Sequence, residues 1–404
     1  MLQNNSHLIA GFFRYHREKL NYSLRGLVGD GKIVDLSSLS AFEHGKKILT
    51  NEQLSALFLL IGYDYNNVIS SYDFTKEYNE ILEYIYLGET KHAKHLFKLS
   101  VDQNVFESLG CINFSLLQYV LASANVKGIE MDDACLMFEE FYKDEQLSIL
   151  HIAQSNDKLN NGYFDEAISL LKESGKISYN PKVRAWISHQ FGRIYGMTGN
   201  YAEATLALLD AKQRYGEFLG FIRMIQADLN LGNVYSLTKS YEKAEESYEE
   251  AFRRSLLLKN SSWLLTKCFN SLCIHYFDTN QYEKVAKLLN NKSAELVESR
   301  NTYFVLAWGY YKTGKYEESV RYCEDGLEKF CEYSFVCMVY EYIEKACKGI
   351  KTGQDALLRK IIETEDYDNT AEIKELFTYE IIDIYERRKN YEKAFKYAKK
   401  LLNR

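Results

Sequence analysis

The sequence predicts an all-α chain, with a small N-terminal module of short helices followed by a long right-handed superhelix of repeated helical hairpins. Three observations carry this. The 404 residues include one proline, Pro181; proline removes a helix N–H and clashes with the preceding turn, so nearly the whole chain is free to be helical. A pattern of small, aromatic and glycine residues returns along the chain at near-constant spacing, the mark of a repeat array. The length also exceeds what one ordinary core supports, which favours two or more domains, or a module plus an array.

Composition narrows the class further. Hydrophobic residues make up 46% and charged residues 26%, with 33 tyrosines, which leaves little room for extended disorder. The N-terminus lacks a charged-then-apolar signal pattern, and no run of about 18 uncharged apolar residues occurs, so the cytoplasm is the expected address. The eight cysteines, at 111, 135, 268, 273, 323, 331, 337 and 347, form no C-x-x-C or zinc-like pair. They read as reduced, mostly buried thiols, with Cys111, Cys268 and Cys323 inside apolar or aromatic helical runs.

The first element spans Leu8 to Leu20, with Ile9, Phe12, Phe13, Tyr15 and Leu20 as apolar positions and Arg14, Arg17 and Lys19 between them. Ser23 caps a second helix that the Gly29-Asp30-Gly31 stretch ends. Asp35 is placed to cap a third, from Leu36 to about Phe42. Two short helices across a tight glycine turn form a helix-turn-helix.

These residues, across roughly 7 to 66, resemble the lambda-repressor-like, xenobiotic-response-element family of DNA-binding domains. The order carries the resemblance. Arg17-Glu18-Lys19 precedes Ser23-x-x-x-Leu27; Ile33 and Asp35 stand as turn hydrophobe and helix cap; Leu39-Ser40-x-Phe42-Glu43-x-Gly45 closes the third helix; Leu54, Leu57, Leu60 and Ile61-Gly62 supply later helices. Two departures leave the register of the third helix open: Arg25 replaces the usual glutamate or glutamine, and Val34 reads as an extra residue in the turn. The resemblance implies that Ser37, Ser38, Ala41 and His44 approach base edges in the major groove, while Lys46, Lys47, Arg14 and Arg25 hold phosphates. Residues 1–66 carry seven Lys/Arg against six Asp/Glu, a net of +1 that leaves −7 for the rest. So weak a positive charge calls for a homodimer, in which two modules add their contacts on adjacent half-sites.

Beyond residue 75 the repeats take over. Phe191-Gly192-x-x-Tyr195 with Tyr201-x-x-Ala204, Leu208 and Ala211 returns as Leu231-Gly232-x-x-Tyr235 with Tyr241-x-x-Ala244, Tyr248 and Ala251. It returns again as Leu272-Cys273-x-x-Tyr276 with Tyr282-x-x-Val285, and as Leu306-Ala307-x-x-Tyr310 with Tyr316-x-x-Ser319. The small position of the second helix falls at Ala93, Ala134, Ala167, Ala204, Ala244, Val285, Ser319, Ala356 and Ala394, 33 to 41 residues apart. The repeats around Ala134, Ala167 and Ala356 lack the first-helix aromatic and are expected to be irregular. The pattern resembles the tetratricopeptide repeat, whose period is about 34 and whose small residues let paired helices pack closely.

Such arrays leave a concave groove lined by the first helices. Most of the tyrosines are accounted for as core. The inward positions are His189, Arg193, Gln226, Asn233, Lys267, Asn270, Asn301, Trp308 and Lys312. Asparagine amides pair with any extended peptide backbone, which singles out Asn233 and Asn270.

A helix-turn-helix joined to a tetratricopeptide array resembles the peptide-sensing RRNPP regulators of Gram-positive bacteria. The resemblance implies a quorum-sensing transcription regulator: a homodimer that binds a promoter or operator and is controlled by a short signalling peptide in the concave face. The expected division is 1–66 for the DNA-binding domain, 67–75 for a linker and 76–404 for the ligand-binding and dimerisation domain. The other reading is an interaction protein acting on a response regulator or another protein. Nothing points to an enzyme or a cofactor: G-x-x-x-x-G-K-[ST], H-E-x-x-H and G-x-S-x-G are all missing. His92-x-x-His95 sits between Lys91 and Lys94, which repel a cation, so solvated histidines are expected there.

Overall fold

The computed structural model describes residues 6–28, 33–70, 74–101, 105–259, 261–290, 296–330, 332, 334–364 and 371–402. These are helical nearly throughout, with no strand among them, and the chain divides into two compact units, Met1–Val234 and Tyr235–Arg404.

The first unit opens with α1 (Ser6–Lys19), α2 (Leu24–Val28), α3 (Leu36–Glu43), α4 (Asn51–Leu60) and α5 (Tyr65–Ser70). Side chains that accept from otherwise orphaned N–H groups set where these helices begin. Ser23 Oγ accepts from Gly26 N at 3.0 Å, and Asp35 accepts from Ser38 N at 2.8 Å. Thr50 and Gln53 close a reciprocal box at 3.3 and 3.0 Å. The third helix thus starts behind Asp35, as its sequence predicts, and the Gly29-Asp30-Gly31 break lies outside the described residues. Val34, the extra turn residue, is buried and belongs to the core.

That core is aromatic. Phe12 and Phe13 of α1 meet Phe58 of α4 with ring centroids 5.8 and 5.5 Å apart, and Phe13 meets Phe42 of α3 at 5.8 Å. The stretch expected as a linker starts as helix α5, because Asp64 accepts from Asn67 N at 3.0 Å and Val68 is buried; residues 71–73 are outside the described set.

The unit continues through α6 (Thr75–Leu87), α7 (Thr90–Val101), α8 (Cys111–Ser123), α9 (Ala134–Met137), a 3-10 turn (Glu139–Phe141), α10 (Asp144–Asn160), α11 (Phe164–Ile177), α12 (Pro181–Met197), α13 (Tyr201–Glu217) and α14 (Phe221–Leu237). Helix α1 lies directly on this part of the chain. A Cβ on Gly11 would stand 3.2 Å from both Ile112 Cδ1 and the Phe141 ring, Tyr15 meets Phe138 at 5.1 Å, and Arg14 pairs with Glu140.

The second unit holds α15 (Tyr241–Ser255), α16 (Ser262–Asp278), α17 (Tyr282–Asn290), α18 (Arg300–Lys312), α19 (Tyr316–Phe330), α20 (Ser334–Cys347), α21 (Gln354–Glu363), α22 (Ala371–Arg387) and α23 (Tyr391–Leu402). In both units consecutive helices pair as hairpins, α10 with α11, α12 with α13, α18 with α19 and α22 with α23. Each of these turns through a residue in the left-handed region, Gly162, Gly199, Gly314 and Lys389 respectively.

Close approach explains the small residues. A Cβ on Gly192 would fall 2.5 Å from Leu208 Cγ, so only glycine lets α12 and α13 meet there. Ala93, Ala167, Ala204, Ala244, Val285, Ser319 and Ala394 are buried at their seams. Ala134 is buried in the one-turn helix α9, an irregular repeat as expected. Ala356 breaks the pattern. It is exposed, and Leu357 fills the seam, because Gln354 opens α21 as Tyr391 opens α23 and the buried position comes three residues later in each.

Cys111, Cys135, Cys268, Cys273 and Cys323 are buried, and burial pushes the Cys111 thiol up to about 12; Cys337 and Cys347 are partly buried, and Cys331 is outside the described residues. No described helix is long and apolar enough to cross a membrane.

Candidate functional site

In the N-terminal module, Arg17 of α1 and Glu43 of α3 form a buried two-point ion pair, and Arg17 Nη1 also donates to the Tyr22 carbonyl at 2.8 Å. Burial alone would lower the Arg17 pKa, but the hydrogen bonds and charge of Glu43 outweigh it and raise it. The pair ties the end of α3 to α1. At the other end, hydrogen bonds from the Ser37 and Ser38 hydroxyls and the Ser38 N–H hold the Asp35 carboxyl well below the usual carboxylate range.

These ties decide what α3 presents. Ser37 and His44 are exposed, Ala41 is partly exposed, and Ser38 is buried with its hydroxyl bonded to Asp35 and Lys47. His44 Nδ1 lies 2.8 Å from the Ser40 carbonyl. Lys46, Lys47 and Arg25 are exposed. Arg14 sits apart from them, engaged with Glu18 and Glu140 against the 3-10 turn. Behind α3, burial holds the His16 imidazole down at about 4, and the Tyr63 hydroxyl lies 2.9 Å from its Nδ1. The buried pair was within reach of the sequence, since both partners belong to the quoted motifs; their facing each other depends on how α1 and α3 cross.

Within the first unit, α12 and α14 place three expected residues in separate polar groups. Asn230 donates to His189 Nε2 at 3.0 Å, which leaves His189 Nδ1 to donate to the Tyr215 hydroxyl at 3.2 Å. Arg193 Nη1 donates to Gln190 at 2.7 Å and to Asn156 of α10 at 3.1 Å. Gln226 Oε1 accepts from Arg223 Nη1 at 3.2 Å, and Arg223 also donates to the carbonyls of Ile85 and Tyr86 at 2.5 and 3.4 Å. Asn233, one turn beyond Asn230, is exposed. The sequence pattern missed Asn156, Gln190, Arg223 and Asn230. Their only signal is one-turn spacing from the named positions, as Arg223, Gln226 and Asn230 show on α14.

The second unit holds the remaining five. Lys267 and Asn301 are exposed, while Asn270 is partly buried and donates to Thr302 Oγ1 at 3.3 Å. Asn270 Oδ1 and the indole N–H of the buried Trp308 have no hydrogen-bond partner among the described residues. Lys312 pairs with Glu380 of α22 at 2.5 Å, and its ammonium lies 5.3 Å from the Tyr282 ring, 5.5 Å from Trp308 and 5.8 Å from Tyr311. Burial would lower the Lys312 pKa, but Glu380 raises it. Tyr342 donates to the same carboxylate at 3.0 Å. Asn270 Oδ1 and Trp308 Nε1 are thus a buried acceptor and a buried donor without a partner among the described residues, groups that are costly to leave unpaired.

His92 sits 2.9 Å from Glu89 and stacks on Tyr84, and no cluster of three or more metal-ligating side chains forms among the described residues.

The tetratricopeptide repeat family matches residues 227–255. A comparison with curated proteins returns no match. Among solved structures, the chain is similar to the apo form of RapI, with 14% identity, 80% of this chain and 94% of that chain covered, and a TM-score of 0.56. It is also similar to a Rap protein complexed with competence and sporulation factor, at 14%, 81%, 96% and 0.53 in the same order. The third is aspartyl phosphate phosphatase F from Bacillus subtilis, at 17%, 83%, 94% and 0.53. At these identities the likeness is one of fold: an all-α chain of tetratricopeptide-type hairpins.

Proposed function

We propose that the chain is a peptide-controlled transcription regulator that binds an operator as a homodimer through α3. The observation that carries this is the construction of α3. Asp35 fixes its start and the Arg17–Glu43 pair its end, while Ser37, Ala41 and His44 stay accessible and Lys46, Lys47 and Arg25 stand exposed nearby. An accessible helix with basic residues beside it is the arrangement that reads a major groove and holds phosphates. Control by a short peptide is supported by the unpaired buried polar atoms of Trp308 and Asn270 and by the fold shared with a Rap protein complexed with competence and sporulation factor. The peptide must favour one arrangement of the protein over another, because equal affinity for both shifts nothing. The chain acts in the cytoplasm and performs no chemistry of its own in this reading.

Selection from random DNA duplexes by the purified chain, with and without a peptide extract of its host, tests the proposal. A preferred, roughly palindromic site is expected in one of the two conditions; enrichment of no site in either removes the regulator reading. The alternative partner is a response regulator. Ile48 and Leu59, 64% and 68% exposed on the module, suit a protein surface, and accelerated loss of phosphate from a phosphorylated response regulator would favour that reading.

A further inference from the structure

The second helices of the hairpins in the second unit differ sharply in charge. Net values are −2 on α15, +1 on α17, −3 on α19 and 0 on α21, whereas α23 carries +3 and the turn ahead of it adds Arg387, Arg388 and Lys389. Residues 387–400 hold seven Lys/Arg against one Glu, a net of +6 that leaves −12 for the rest of the chain. All seven side chains are exposed. Part of this charge is balanced locally: Arg387 pairs with Asp383 at 2.5 Å, Arg388 with Asp355 at 3.6 Å and Lys400 with Glu363 at 3.9 Å. Lys389, Lys393, Lys396 and Lys399 form no ion pair among the described residues; the Lys393 ammonium lies 5.6 Å from the centroid of the Tyr385 ring.

A face that only has to stay in water can carry either sign, as the acidic α15 and α19 show, so a concentration of one sign against the charge of the whole chain points to an anionic partner. Lys393, Lys396 and Lys400, three and four positions apart, are neighbours along α23. A row of such point charges suits a regular line of phosphates. Protein–protein contacts are depleted in lysine and favour arginine and aromatic residues. A membrane surface would need an apolar helix face to bury, and that of α23, Ala394 and Tyr397, is already packed inside.

We propose that the exposed basic face of α23 binds the phosphate backbone of double-stranded DNA without reading its sequence. The inference rests on the DNA reading of the preceding section and adds a second contact surface. The N-terminal module has a net charge of only +1, and backbone contacts made elsewhere in the chain supply affinity that it lacks.

Titration of the full-length protein into a fluorescent duplex of arbitrary sequence, repeated over a series of salt concentrations, tests this. Lys393→Gln, Lys396→Gln and Lys399→Gln together are expected to weaken binding at least about tenfold at low salt. They should also flatten the dependence of log affinity on log salt by about 2 to 3, near one for each lysine. Arginine at the same three positions keeps the charge and should bind as the unaltered protein does; weak binding there overturns the assignment. The same titrations on a Lys46→Gln, Lys47→Gln background take the module out of the result. Duplex binding that persists on that background and disappears with the three glutamines supports the face even where no preferred site is selected. Unchanged affinity and slope in the glutamine variant overturn the face, and the regulator reading stands if a preferred site is still selected. Lost retention on phosphatidylglycerol vesicles with duplex binding intact assigns α23 to a membrane surface and overturns the proposal. Absence of duplex binding by every form overturns both readings.

Discussion

Arg17 and Glu43, 26 positions apart in sequence, meet through two parallel bonds of 2.5 and 2.9 Å that fasten helix α3 to α1. The Glu43 side chain is only 2% exposed, so removing one partner strands a charge. Arg17→Met alone is expected to cost about 3–5 kcal/mol, and Arg17→Met with Glu43→Leu clearly less, because the double change buries no charge. Urea titrations of both variants check this; equal losses would contradict it.

Acid should loosen the same module through His16. Its folded-state pKa is lowered to about 4 by burial, against 6.5 when unfolded, so protonation favours the unfolded chain. The stabilisation is complete above pH 6.5 and is lost as pH falls towards 4, amounting to ~3 kcal/mol in all. Thermal midpoints from pH 7 to 4.5 should therefore fall more steeply for the unaltered protein than for His16→Gln. Parallel curves would rule out His16 as the source.

The hairpins make opposite predictions at two small-scale features. Gly192→Ala forces a methyl onto Leu208 and is expected to destabilise by about 1–3 kcal/mol. Lys239, exposed and held at φ +57°, is strained where glycine is not, so Lys239→Gly should stabilise by about 1 kcal/mol. Calorimetry on the two variants gives the signs directly.

Asn270→Ala tests the ligand face of the second unit. Thr302, its partner among the described residues, keeps the Val297 carbonyl at 3.1 Å and Ser299 at 2.8 Å, so the thermal midpoint should stay nearly fixed. Affinity for a peptide that the protein retains from the host extract should weaken by about 1 kcal/mol or more, and the exposed Asn233→Ala should behave likewise. Unchanged affinity in both places the peptide elsewhere.

What the sequence made legible was local. Asp35 announced the start of α3, and Gly192 and Ala204 announced the seam of α12 and α13, because caps and close contacts depend on spacings of a few residues. Long-range choices left no such trace. Arg223 reaches the Ile85 carbonyl across 138 positions, and Lys312 reaches Glu380 across 68. No periodicity encodes those partners. Ala356 shows the limit within the local signal: a small residue stood near the expected place, but the helix start, fixed by Gln354, put Leu357 in the seam.

The contact of Gly11 with Ile112 and Phe141 bears on how this protein can be recombined. A chimera joined near residue 70 would carry α1 away from the surface it fits and would leave Phe138 and Phe141, now buried, facing solvent. The smallest transplantable piece is therefore set by the α1 interface and not by the α5 terminus, because the core that α1 joins runs on without a break to Ile194.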